Sequence, residues 1–182
     1  MNTRKLNTRF FALSAAIFIA ALSRLIPHPA DFTPLGAMAL FGGCYFKDKR
    51  KAYLVPILAL WVSDIILNSV LYFHKLTFFY SGFLWTYSCF ALIVLIGTFM
   101  KRVTFKNVIL ATITAALLHW LVSDFGVWLN GGIYPANLQG FIACYVAALP
   151  FLKNMLAANL IFGGVMFGAF EWAQKKYTVL AA

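Results

Sequence analysis

Pro34-Leu-Gly-Ala-Met-Ala-Leu-Phe-Gly-Gly-Cys-Tyr-Phe46 decides the fold: it carries no charge, yet it is short for a membrane span. A helix needs about 20 apolar residues to cross the hydrocarbon core. Five longer apolar segments surround it, at about 10–26, 52–73, 83–100, 107–129 and 154–173. Loop charge tests whether the short one also crosses, because basic residues concentrate on the cytoplasmic side. With six spans and the N-terminus inside, the inner side holds Arg4, Lys5, Arg9, Lys47, Lys49, Arg50, Lys51, Lys101, Arg102, Lys106, Lys175 and Lys176. Only Arg24, Lys75 and Lys153 then lie outside. Without the second span the balance inverts, to five inside and ten outside. The expectation is an all-α integral membrane protein with six transmembrane helices and both termini cytoplasmic.

Composition agrees with that reading. Of 182 residues, 63% are hydrophobic and 11% charged, and the mean hydropathy is +0.83. A soluble domain of this size could not hide so much apolar surface, so a single transmembrane domain covers 1–182. The net charge of +10 sits at segment ends rather than along one face, which reads as topology and argues against nucleic acid as a partner. Arg4, Lys5 and Arg9 before an apolar stretch resemble a signal peptide. The charge balance favours keeping that stretch as the first span. Cys44, Cys89 and Cys144 are scattered, without metal-ligand spacing, and read as small buried hydrophobes. No nucleotide loop, G-x-S-x-G or H-E-x-x-H occurs, and His119 with Ser123 makes only a weak Ser/His pair, so neither catalysis nor a bound cofactor or metal is expected.

Two carboxylates stand inside apolar segments, each ending the same tripeptide: Val62-Ser63-Asp64 and Val122-Ser123-Asp124. An ionised group in hydrocarbon costs several kcal/mol, so it usually faces a cavity, a partner or a pathway. Both lie on parallel-running segments, in the outer half of the bilayer. Helical spacing puts Trp61, Asp64 and Asn68 on one stripe and Trp120, Asp124 and Trp128 on another. Such acids can hold a ligand, or simply join helices through hydrogen bonds. Both readings stay open for Asp64, and Asp124 gains from nearby Asn130, Tyr134 and Asn137.

The outer connections are rich in Pro, Gly, Asn and aromatics, as binding loops or an interfacial aromatic belt would be. The first supplies Arg24, His28 and Asp31, with Asp31 the natural partner for Arg24. The last is expected to hold a short interfacial helix over 138–149 that Pro150 breaks. Small residues recur at Ala12, Ala16 and Ala20, which suit either internal packing or a partner surface, and at Gly164 and Gly168, where internal packing is expected.

The stretch from Arg24 through Pro27-His28-Pro29, Pro34 and Gly36 to Gly42-Gly43, together with residues 141–151, resembles the signature of a bacterial membrane transport family of unassigned substrate. That family is in turn similar to the S components of energy-coupling-factor (ECF) vitamin transporters, and most to the solitary cobalamin-uptake S components. The resemblance implies an S-component-like bundle in the bacterial inner membrane that captures a vitamin or cofactor precursor at the outer face, cobalamin or another corrinoid among the choices. It further implies that His28 and Asp64 match pocket positions. Ala12, Ala16 and Ala20 would match the surface that docks a T subunit, with ATPases as further partners. One departure stands out. The cobalamin relatives use a cysteine after the third helix as a cobalt ligand, whereas this chain has Thr77, Tyr80 and Ser81 there. Either His28 or no protein group would ligate the metal, or the substrate is another vitamin. A different class of role, a structural or assembly subunit of a larger membrane complex, would instead pair Asp64 and Asp124 with a partner's basic residues. Within the transport reading, the first loop and its Gly36, Gly42 and Gly43 helix would form a lid.

Overall fold

The computed structural model describes residues 3–130 and 132–181, with side chains from Thr8 onward. Arg4 and Lys5 of the charge balance therefore lie outside the described side chains. Six α-helices follow one another: α1 (Thr3–Ser23), α2 (Leu35–Tyr45), α3 (Lys49–Ile66), α4 (Phe83–Thr98), α5 (Phe105–Leu129) and α6 (Leu138–Lys176). No strand occurs among the described residues. A π-helical turn, Leu67–Tyr72, continues α3, and the stretch Lys49–Tyr72 is apolar and long enough to cross a membrane. So are α5 and α6.

Local signals set the helix starts. Asp48 accepts the amide of Arg50 at 2.9 Å, Thr104 that of Asn107 at 3.2 Å and Asn137 that of Gly140 at 2.8 Å, each satisfying a donor the first turn leaves open.

The short helix α2 is the hub. Every residue from Leu35 to Gly43 is buried, and α1, α3, α4, α5 and α6 all pack around it. Eleven residues rise only about 16 Å, so α2 is shorter than a bilayer core. Its glycines exist for close approach. A Cβ on Gly43 would stand 2.2 Å from the carbonyl oxygen of Val94, and one on Gly97 of α4 would stand 2.5 Å from that of Leu40. The glycines thus seat α2 backbone against backbone in the core, continuous with the first connection that precedes it.

Two further expectations change. No break occurs at Pro150; α6 runs through it for 39 residues. Proline removes one amide and crowds the preceding turn, but α5 packs along α6 on both sides of that point, from Tyr145 against Leu121 to Gly163 against Thr112. Gly164 and Gly168 do not pack internally: nothing lies within 4 Å of a Cβ built on either. Gly163 is the residue that meets α5.

The termini meet at one end. Arg9 donates to Gln174 at 2.9 Å and to the carbonyl of Leu180, and Tyr45 donates to Glu171, both at 2.6 Å. Arg9 also lies over the ring of Phe170. At the opposite end the first connection, residues 24–34, is tied to α6. Asn154 donates to the carbonyl of Ala30 at 2.9 Å, and Phe32 meets Phe162.

Candidate functional site

Arg24, just past the end of α1, reaches across to α3. Its Nη1 donates to both Ser63 Oγ and Asp64 Oδ1 at 2.7 Å. The two side chains are 11% and 4% exposed, so the pair is nearly dry. Tyr87 of α4 donates to the other oxygen, Asp64 Oδ2, at 3.0 Å. Asn68 donates to the backbone carbonyl of Asp64 at 2.8 Å, where the chain passes into its π turn. The expected pairing of Arg24 with Asp31 is thus replaced. Asp64 offers a hydroxyl beside it and a site shielded from water, where the ion pair is stronger.

Above this pair lies a cavity of about 150 Å3. The first connection contributes Asp31 and Thr33, and α2 its first residues, Leu35 and Gly36. The α3–α4 connection adds Tyr80, and α4 Thr86. One wall is His119 of α5, and the other is Met155 and Asn159 of α6; Arg24 closes the floor. Asn159 is 1% exposed, and its Oδ1 accepts the amide of Ala37 at 3.0 Å. Gly36 is required there, since a Cβ would stand 2.5 Å from that same oxygen. His119 makes no hydrogen bond through its ring. The Ser123 hydroxyl is engaged by the backbone carbonyl of His119 at 2.7 Å, so the two side chains form no Ser/His pair.

The remaining residues singled out from sequence fall in different places. Asp31 keeps one side open, but its loop removes enough water to push its carboxyl above the ordinary range, against the effect of neighbouring His28. Asp124, about a turn and a half beyond His119 on α5, is half-buried; its carboxylate has no hydrogen bond and lies within electrostatic range of Asp31. His28 is exposed, with Nδ1 against the carbonyl of Ile26 at 2.6 Å, and does not line the cavity. Trp120 meets Tyr145 edge-on. Trp128 donates to the carbonyl of Pro135 at 3.1 Å, Asn137 caps α6 and Asn130 ends α5, so these three shape the α5–α6 connection. Tyr134 is half-buried in that connection. Of the alanine ladder, Ala20 is buried in the core, Ala16 packs against it and Ala12 is half-buried.

Residues 4–180 match a family described as a family of unknown function, DUF6580. The chain belongs to that family. No curated protein and no solved structure matches it. The DUF6580 match covers all six helices, so the cavity and the ion pair beneath it lie wholly within the family's shared extent. Among the described residues of this DUF6580 protein, no group of three or more His, Cys, Asp or Glu could hold a metal ion. Sequence reasoning missed Asn159, Tyr87 and Thr86. For Asn159 a signal existed: it is an amide well inside the sixth apolar segment.

Proposed function

We propose that this is an uptake protein of the bacterial inner membrane, with six spans and both termini cytoplasmic, that captures a small polar molecule at its outer face. One observation carries the reading: a polar cavity, floored by a buried ion pair, inside helices that are otherwise apolar. Ligand sites have this character, a recess in an apolar scaffold with a few convergent polar groups. The Arg9–Gln174 and Tyr45–Glu171 contacts close the opposite end, which suits a protein resting open to the outside. The vitamin-type substrate, and an energising T subunit with its ATPases, belong to this proposal. Ala12 and Ala16 remain the docking positions with surface left to offer.

A second reading, a subunit of a larger membrane complex, is favoured by the open Gly164 and Gly168 face, since small-residue faces let helices approach closely. Asp64, held by Arg24, is no longer free for a partner's basic residue.

Purification in mild detergent followed by mass spectrometry of bound small molecules separates the two. Thr33→Trp fills the cavity from its loop side and is expected to release the molecule while the protein elutes unchanged. A molecule retained in Thr33→Trp, or a stoichiometric protein partner with no small molecule, overturns the uptake reading. Reporter fusions after residues 48, 103 and 182 should all report cytoplasmic.

A further inference from the structure

The donors around the cavity are more numerous than their partners. Helix α2 begins without a side-chain cap. The amides of Met38 and Ala37 are satisfied by Pro34 and Asn159, but those of Leu35 and Gly36 have no partner. Both residues are buried and line the cavity. The positive end of the helix dipole adds to them. Asn159 is 1% exposed, and with Oδ1 committed to Ala37 its Nδ2 is an unpartnered donor on the same wall. Arg24 also lines the cavity, and its hydrogen bonds to Ser63 and Asp64 use Nη1 alone. This side of the cavity calls for an acceptor with several lone pairs.

The other side has the opposite character. Arg24 is neutralised by Asp64, so the net charge near the cavity comes from Asp31, with Asp124 in range. Among the described residues, neither carboxylate makes a hydrogen bond or ion pair through its side-chain oxygens. A simple anion would meet Asp31, and a simple cation would meet the start of α2. A molecule carrying both charges satisfies both sides. A cavity near 150 Å3 holds a benzene-sized guest, so the ligand has roughly six to ten heavy atoms.

We propose that the cavity takes a small aminocarboxylate, with its carboxylate on the first amides of α2 and Asn159 and its ammonium at Asp31. This rests on the uptake reading and narrows its substrate class. It excludes anything of corrinoid size from the cavity.

The test measures binding to detergent-purified protein by calorimetry, with β-alanine and 4-aminobutyrate as probes and propionate and propylamine as single-charge controls. At least one aminocarboxylate should bind tighter than both controls by about tenfold or more. Asp31→Asn, a change in an open loop, should abolish that preference without weakening propionate, and Asp31→Glu should keep it. The proposal is overturned if propionate or propylamine binds as tightly as both aminocarboxylates, if neither aminocarboxylate binds, or if Asp31→Asn leaves the preference intact. Thr33→Trp then separates the two levels. Release of a co-purified molecule of another class overturns the aminocarboxylate assignment and leaves uptake standing. With no aminocarboxylate bound and nothing released, both fall.

Discussion

Asp64 satisfies its charge within the molecule: Arg24 and Ser63 gather at one oxygen and Tyr87 holds the other. Removing one partner of a dry ion pair leaves the other charge buried alone, which typically costs about 3–5 kcal/mol, whereas replacing both by apolar groups is often near neutral. Asp64→Asn should therefore lower the unfolding temperature sharply, and Arg24→Met with Asp64→Leu should recover most of the loss. Thermal denaturation in detergent checks both, and equal damage from single and double variants would show that the pair does more than neutralise itself. Asp31 makes a contrasting prediction. Burial raises its pKa, so its ionised form is lost at a higher pH on acidification than that of an ordinary aspartate near 3.9. Affinity for 4-aminobutyrate should fall over that acidic range, while the stability of the empty protein should rise, because the folded state binds the proton more readily. Asp124 and His28 both act on Asp31, so a background carrying His28→Ala and Asp124→Asn isolates the Asp31 contribution; Asp31→Asn in it should reduce both slopes, the affinity slope that remains being that of the ligand's own carboxylate.

At the scale of elements, α2 and α6 depart most from what local sequence suggests. Glycine in a helix reads locally as weakness, yet Gly43 and Gly97 bring two backbones into contact. Gly43→Ala should force α2 and α4 apart and cost roughly 1–3 kcal/mol as overpacking, seen as a lower unfolding temperature. Gly164→Ala, with open space around it, should leave the monomer's stability unchanged or slightly higher, since alanine is the better helix former. If Gly164→Ala instead weakens assembly measured by light scattering, the open face is an interface. Pro150 shows the same tension in reverse. Taken alone it ends a helix, but contacts with α5 on both sides carry α6 through it.

At the scale of the whole molecule, helix positions were largely legible. The six apolar segments fall on the six helices, with α6 starting about sixteen residues early because the expected interfacial helix is fused to it. Capping by Asp48, Thr104 and Asn137 is likewise local chemistry. The candidate site was legible only in part. Arg24 and Asp31 line the cavity and Asp64 lies beneath it, whereas His28 is exposed and Asn130, Tyr134 and Asn137 belong to the α5–α6 connection. The sequence by itself determined an all-helical, strongly apolar chain with a few charges in costly places, because hydropathy and capping depend on neighbours a few residues away. Tertiary structure alone decided that Arg24 chooses Asp64, 40 residues on, and that Asn159 meets Ala37 across 122 residues. Those pairings follow from how α3 and α6 pack against a buried α2, and no local pattern encodes which distant groups that packing brings within 3 Å.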